Sequence, residues 1–174
     1  MPLPRVRGVR VSVIEHQAVL TFETFYRAES DRVYRALAVT LGDPHLAREA
    51  ADEAMVRAYA HWGRVRHHEN PGGWAFRVGL NWATSFWRKV RRERPLSDVE
   101  PYHPGADPPE PSGVRALAAL RKLPPAQRTV VVCRVLLDMS TVETAEILGV
   151  AEGTVKSRLS RALADLRVAL GEER

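Results

Sequence analysis

Hydrophobic residues recur along most of the chain at the three- and four-residue spacing of an α-helix, and no stretch predicts a strand. The first such pattern covers residues 21–41, and Gly42 is placed to end it. Asp43 and Pro44 then supply an N-cap and a first helical position for a second helix that reaches about Trp62. These patterns predict an all-α fold.

A third long helix is predicted from about Trp74 to Arg92, because its apolar and polar residues fall on opposite sides. The apolar side holds Phe76, Leu80, Ala83, Trp87 and Val90. The polar side holds Arg77, Asn81, Thr84, Ser85, Arg88 and Arg92. Residues 61–73, between the second and third helices, are rich in glycine and polar side chains, which predicts a loop.

A proline-rich, acidic segment divides the chain into two predicted helical domains, residues 21–94 and 114–174. Residues 95–113 hold half of the 12 prolines and four acidic residues but no lysine or arginine. Such a segment cannot propagate a helix or bury a core, so we interpret it as a flexible linker. Residues 1–20 lack a helical period and predict a flexible N-terminal extension.

The second domain carries the pattern of a helix-turn-helix. Two helices are predicted at residues 114–123 and 126–137, separated by adjacent prolines. Ser140 and Glu143 then form a capping-box pattern at the start of a third helix, which Gly149 closes. A last helix is predicted from Glu152 to about Leu170.

The last helix divides into an apolar face and a cationic, hydroxyl-rich face. The apolar face holds Val155, Leu159, Ala162, Leu163, Leu166 and Leu170. The opposite side presents Gly153, Thr154, Lys156, Ser157, Arg158, Ser160 and Arg161. A helix of this design can lie in a DNA major groove while its back packs on a small core. The alternative is a solvated surface helix of a bundle.

Composition narrows the class of protein. The net charge is +5 and the pI is about 9.9, which modestly favours polyanionic partners. The single cysteine, Cys133, excludes an internal disulfide, and its apolar neighbours predict a buried thiol in a reducing compartment. No stretch reaches the roughly 18 apolar residues of a membrane span, and no secretion signal is evident. We therefore expect a cytoplasmic protein without membrane insertion.

No pattern of catalytic residues is evident. The sequence shows no glycine-rich phosphate loop, nucleophile elbow or pair of catalytic carboxylates. His61, His67 and His68 cluster, but no cysteine or histidine at partner spacing accompanies them, which disfavours a metal site. We therefore expect no enzymatic activity, no cofactor and no metal.

The segment LPPAQRTVVVCRVLLDMSTVETAEILGVAEGTVKSRLSRALADLR (residues 123–167) closely resembles region 4 of bacterial sigma factors, in particular the extracytoplasmic-function (ECF) group. The segments FETFYRAESDRVYRAL, AREAADEAMVRAYAHW and WAFRVGLNWATSFWRKVRR resemble region 2 of the same group. The resemblance implies a protein that binds core RNA polymerase and directs promoter-specific initiation, and that an anti-sigma factor often holds inactive.

The resemblance also assigns residues to three surfaces. Those that would read the upstream (−35) promoter element are Thr154, Lys156, Ser157, Arg158, Ser160 and Arg161. Those that would bind the opened downstream (−10) element are Arg64, Arg66, Asn70, Arg77, Asn81, Trp82, Ser85 and Arg88. Those that would dock on the polymerase clamp are Arg48, Glu49, Asp52, Glu53 and Arg57, while region 4 would meet the flap.

Two residues depart from the family pattern, which commonly has glutamine where this chain has Asp52 and serine where it has Ala151. One alternative function stays open, a stand-alone helix-turn-helix regulator that binds operators as a dimer. Such a regulator needs a sensor or a self-complementary interface, whereas the first domain offers a charged helix face and an aromatic, basic surface.

Overall fold

The computed structural model describes residues 21–93 and 111–171, and these residues form eight α-helices and one π-helical turn. The predicted N-terminal extension and residues 95–110 of the predicted linker lie outside the described residues. Within the described ranges no strand is present, in agreement with the predicted all-α fold.

The first two helices form a hairpin whose ends the sequence predicts. Helix α1 (Phe22–Leu41) ends at Gly42, which has a left-handed φ of 72°. Helix α2 (Pro44–Ala60) begins at Asp43, whose carboxylate accepts hydrogen bonds from the amides two and three residues later, both at 3.0 Å. Both caps satisfy backbone groups that the helix ends would otherwise leave without partners.

The predicted loop between α2 and the third long helix is partly helical. A short helix, α3 (Trp62–Val65), follows α2, and α4 (Pro71–Glu93) begins at Pro71 rather than at Trp74. Asn70 caps α4, since its side-chain oxygen accepts from the Gly73 amide at 2.7 Å. The signal was present in the sequence, because Asn followed by Pro is a usual helix start.

The N-terminal domain consists of helices α1 to α4. Helices α2 and α4 cross at a short distance. The crossing depends on Gly79, where an added Cβ would lie 2.9 Å from the Ala50 carbonyl oxygen and 2.8 Å from Leu37 Cδ1. Leu37 and Phe76 are fully buried beside it. Small residues at the crossing therefore set how the domain's core closes.

The C-terminal domain contains α5 (Pro111–Lys122), α6 (Pro125–Val131), α7 (Thr141–Leu148) and α8 (Glu152–Leu170). Helix α5 begins at Pro111, within the predicted linker, rather than at Val114.

The predicted helix over residues 126–137 is α-helical only to Val131. A π-helical turn (Val132–Leu136) follows α6, and the Leu137 amide donates to the Val132 carbonyl, five residues earlier, at 3.1 Å. Asp138 then adopts a left-handed φ of 52°. The wide turn changes the direction of the chain before α7 begins.

The two domains pack against each other, a contact that the sequence did not predict. Cys133, Leu137 and Met139 are buried in the same hydrophobic cluster as the N-terminal core. Arg32 Nε donates to the Leu136 carbonyl at 2.8 Å, on the edge of this contact. The Cys133 thiol is buried, as predicted, and its burial raises its pKa to about 12.

Candidate nucleic-acid interface

The helix before the predicted reading helix is capped as its sequence predicts. The Glu143 amide donates to Ser140 Oγ at 3.1 Å, and the Ser140 amide donates to Glu143 Oε2 at 2.6 Å. Gly149 closes α7 with a left-handed φ of 64°. The capping box fixes where α7 starts and therefore how the following turn presents α8.

The capping box makes the start of α7 sensitive to acid. The Ser140 backbone amide is the main cause that lowers the Glu143 pKa from its usual 4.5. A lowered folded pKa contributes stability above about pH 4.5, and that stability is lost as the pH falls through the folded value. We expect Glu143→Gln, which keeps a capping side chain but cannot titrate, to lose less stability between pH 6 and pH 3 than the native protein does. The urea midpoints of both proteins at several pH values measure this loss. Midpoints that fall by the same amount with pH in the two proteins would contradict the prediction.

Helix α8 turns its apolar side inward, as predicted. Val155 and Ala162 are fully buried, and Leu159 and Leu166 pack beside them on α6 and α7. The side chains predicted to read DNA lie away from this contact: Lys156, Ser160 and Arg161 are exposed, and Thr154, Ser157 and Arg158 are half-buried.

The start of α8 is open to an anion. Ala151 supplies no side-chain cap, and Gly153 has no atom within 4 Å of the position that a Cβ would take. Amides at a helix N-terminus without a capping side chain can bind phosphate. Ser157 Oγ donates to the Thr154 carbonyl at 3.1 Å, so its lone pairs remain able to accept a hydrogen bond.

The outer face of α2 is charged, and two of its arginines interact with neighbouring side chains. Arg57 Nε lies 2.7 Å from Glu53 Oε1, one helical turn away. The Arg48 guanidinium lies over the Tyr34 ring, 3.8 Å from its centroid. The remaining residues predicted for this face, Glu49 and Asp52, are exposed.

Two apolar side chains on the same helix were missed by the sequence analysis. Val56 is 63% exposed and Tyr59 is 69% exposed. Together with Asp52 they form a ridge at helical spacing, which we call the α2 ridge (Asp52, Val56 and Tyr59). The signal was available, since both are large apolar residues outside the inward stripe of alanines. A partner can bury the Val56 and Tyr59 side chains at little cost in desolvation, with the Asp52 carboxylate at the end of the ridge left in water or paired.

Cationic and aromatic side chains meet around the loop before α4. Arg64 lines a cleft of about 260 Å³ with His61, Val65, His68 and Trp74. The His68 and Trp74 rings lie 6.2 Å apart between centroids. Arg66 is exposed, and its Nε donates to His67 Nε2 at 3.1 Å.

The predicted polar stripe of α4 is exposed where its side chains are described. Arg77, Asn81 and Ser85 all face solvent at successive turns. Beside them Trp82 stacks on Phe86, with centroids 5.5 Å apart and an angle of 11° between the rings, and Phe86 is 44% exposed. The structure therefore adds an aromatic platform to the stripe. The side chain of Arg88 lies outside the part that the structure describes.

Over residues 21–93 and 111–171, no group of three or more histidine, cysteine, aspartate or glutamate side chains is placed to hold a metal ion. In the same ranges, no helix is both long enough and apolar enough to cross a membrane.

Comparison with known proteins identifies both domains. The family model for Sigma-70, region 4 matches residues 114–166, and the model for Sigma-70 region 2 matches residues 25–93. The chain is 38% identical over 151 residues to the RNA polymerase sigma-E factor of Streptomyces coelicolor, covering 86% of this chain and 85% of that protein. It is 32% identical over 152 residues to the ECF RNA polymerase sigma factor SigM of Mycobacterium tuberculosis, covering 86% of this chain and 77% of that protein.

Solved structures share the fold. The sigma factor RpoE of Bartonella quintana, crystallised in complex with the anti-sigma factor NepR, has a TM-score of 0.72 at 25% identity, covering 88% of this chain and 98% of that one. CnrH, solved with the cytosolic domain of CnrY, has a TM-score of 0.56 at 22% identity, covering 88% and 89%. With region 2 in its N-terminal domain and region 4 in its C-terminal domain, the chain belongs to the ECF group of RNA polymerase sigma factors.

Proposed function

We propose that this protein binds core RNA polymerase and directs it to promoters whose −35 element α8 reads and whose −10 element the N-terminal domain captures as an opened strand. The observation that carries the proposal is the two-sided α8, which is packed on one side and presents cations and hydroxyls on the other. The protein would act in the cytoplasm, without a metal, a cofactor or a catalytic activity of its own.

In the upstream contact, phosphates position α8 and base edges specify the sequence. Lys156 and Arg158 flank the exposed face and suit phosphates on either side of the groove. Arg161 can make a bidentate contact with guanine, and Ser157 can accept a hydrogen bond at a base edge. The uncapped start of α8 supports this assignment, since its amides suit a phosphate.

In the downstream contact, single-stranded DNA needs cations for its backbone and aromatic faces for its unstacked bases. The cleft between Arg64 and Trp74 offers both and suits a base turned out of the stack. Polar side chains along the loop and α4 would contact the strand's backbone, and the Trp82–Phe86 stack would lie beside it. These polar residues are Asn70, Arg77, Asn81 and Ser85. We include Arg66 and Arg88 among the residues that would bind the opened strand, because they match positions of the family's −10-binding segments in the sequence.

The clamp contact would centre on the α2 ridge and the surrounding charges, namely Arg48, Glu49, Glu53 and Arg57. The apolar pair supplies buried area, and the charges supply register and steering. Region 4 would meet the polymerase flap. An anti-sigma factor is a further expected partner, since the solved RpoE structure contains one.

Val56→Asp is expected to weaken binding of the full-length protein to core polymerase by about 2 kcal/mol, or roughly thirtyfold, because it places a charge at the centre of the proposed contact. The control is Ala28→Asp, at an exposed residue of α1 in the same domain as Val56 but outside the proposed clamp contact. Fluorescence anisotropy of the labelled protein, titrated with core polymerase, measures both. Equal affinities of the two variants for core polymerase would contradict the assignment of the outer face of α2 to the clamp. A native protein that does not bind core polymerase would contradict the proposed function.

A further inference from the structure

Aromatic side chains from the start of α1 and the end of α2 form one cluster on the surface of the N-terminal domain. The centroid of the Phe22 ring lies 5.0 Å from that of Tyr59 and 5.6 Å from that of Trp62. The Phe22 ring also lies 5.9 Å from the Tyr26 ring. Both tyrosines are exposed, Tyr26 by 46% and Tyr59 by 69%. Phe22 therefore joins two exposed rings into one apolar surface.

This apolar surface continues along α2 to Val56, which lies three residues before Tyr59 and is exposed. We call the combined surface the aromatic patch (Phe22, Tyr26, Val56 and Tyr59). Contiguous exposed apolar side chains of this kind mark a surface that another segment or molecule covers. The α2 ridge includes Val56 and Tyr59, whereas Phe22 and Tyr26 belong to α1 and lie outside the proposed clamp contact. The α1 part of the patch therefore needs an occupant of its own.

The N-terminal extension joins the chain at the edge of the aromatic patch. Residues 1–20 lead directly into α1, whose N-cap is Thr21 and whose first residue is Phe22. Leu20 and Phe25 occupy the positions before and four residues after this cap, which is the spacing of a hydrophobic staple. Phe25 is buried beside the patch, with its ring 6.1 Å from that of Phe22. A staple at this point would direct the preceding residues towards the patch.

The extension contains a segment whose sequence suits an apolar surface. Residues 9–13 alternate valine with a polar residue, in the order Val-Arg-Val-Ser-Val. In an extended conformation, this alternation presents three valines on one side and the polar side chains on the other. The segment ends eight residues before Thr21, a distance of at most about 28 Å along the chain, so it can return to a patch that begins at Phe22.

The charges around the aromatic patch are opposite to those of the extension. Glu23 follows Phe22 on α1, and Asp52 lies one turn before Val56 on α2. Both carboxylates are exposed, and neither forms an ion pair with another described residue. The extension holds three arginines, at positions 5, 7 and 10, against one glutamate. Exposed ion pairs add little affinity, so the valines would supply most of the binding and the arginines would orient the segment.

We propose that residues 9–13 of the N-terminal extension dock on the aromatic patch of the free protein, with their valines against the exposed rings and the nearby arginines beside Glu23 and Asp52. The extension and the polymerase clamp then compete for Val56 and Tyr59. This consequence rests on the proposed clamp contact, whereas the docking does not. Because a covered surface binds its partner in proportion to the time it is uncovered, the extension lowers the apparent affinity for core polymerase.

Photo-crosslinking within the full-length protein tests the docking directly. The photoreactive residue p-benzoylphenylalanine replaces Val11, because its apolar side chain preserves the alternation of the segment. The protein is irradiated alone, and the crosslinked peptides are identified by mass spectrometry. We expect crosslinks within one molecule to Tyr26, Val56 or Tyr59. Crosslinks that lie elsewhere, or that join two molecules, would overturn the docking.

The same photoreactive residue in place of Pro2 serves as the control for this crosslink. Pro2 belongs to the extension but lies outside the alternating segment. We expect it to give a much lower yield of crosslinks to the aromatic patch than the residue at position 11. Equal yields from the two positions would show an extension without a preferred contact and would overturn the proposal.

A polymerase titration tests the competition. Val9→Asp with Val11→Asp in the full-length protein should raise the affinity for core polymerase about fivefold, because the charged segment releases the patch. Pro2→Asp with Pro4→Asp makes the same charge change in the same extension and should leave the affinity near that of the native protein. Equal effects of the two pairs, or an unchanged affinity with both, would overturn the competition. If no protein binds polymerase, the proposed function fails, whereas the crosslinks still decide the docking.

Discussion

A protein carrying both Ser157→Ala and Arg161→Ala is expected to lose −35 recognition while keeping its fold and its affinity for polymerase. Both side chains lie off the packed side of α8, so their removal leaves Val155 and Ala162 buried as before. Together we expect a loss of about 3 kcal/mol, or roughly a hundredfold, in promoter-specific binding, because each contact to a base edge contributes about 1–3 kcal/mol. The measurement compares holoenzyme affinity for a promoter fragment and for the same fragment with its −35 element scrambled.

Lys156→Ala serves as the control for this double variant. Its exposed ammonium is assigned to a phosphate, so its loss should weaken binding to both fragments by a similar factor. If the double variant discriminates between the two fragments as well as the native protein does, the reading face is assigned wrongly.

Gly79→Val is expected to destabilise the N-terminal domain by about 3 kcal/mol, because the close crossing of α2 and α4 leaves no room for a side chain. The Leu37 methyl group can move aside, but the Ala50 carbonyl oxygen, 2.9 Å from the added Cβ, belongs to the backbone of α2. The two helices would have to separate, which would open the core around Phe76. Urea unfolding followed by circular dichroism measures the loss.

Gly63→Val is the matched control for the crossing. Gly63 lies in α3 of the same domain, and an added Cβ there meets no atom within 4 Å. The same substitution should therefore shift the midpoint far less than Gly79→Val does. Similar midpoints for the two variants would show that intrinsic helix propensity, rather than the crossing, determines the effect.

The sequence predicted those features that local chemistry determines. Three helix ends are set by hydrogen bonds or dihedral angles that involve only neighbouring residues, at Asp43, Ser140 and Gly149. The structure confirms all three of these predicted ends. The inward side of α8 also follows from periodicity alone, because one helix face must meet the core. The start of α4 was predicted too late, since Gly72 and Gly73 suggested a break although Asn70 and Pro71 favour a helix start.

Features that depend on contacts distant in the sequence were not predictable in the same way. The apolar run through Val132 and Cys133 suits an ordinary helix, and the π-helical turn becomes evident only where Leu137 and Met139 reach the N-terminal core. The fit of Met139 beside Gly73 joins residues that no sequence pattern relates. The role of each site residue on DNA or polymerase remains a prediction, because it depends on a partner surface.

Transcription by core polymerase on fragmented genomic DNA, with the 5′ ends of the products mapped, tests the central claim most directly. With the native protein we predict initiation concentrated at sites that share two conserved elements at a fixed separation. The Ser157→Ala, Arg161→Ala protein should lose the preference for the upstream element, and the Val56→Asp protein should show reduced initiation overall. Initiation that is unchanged by adding the native protein, or that lacks any shared sequence upstream, would contradict the account.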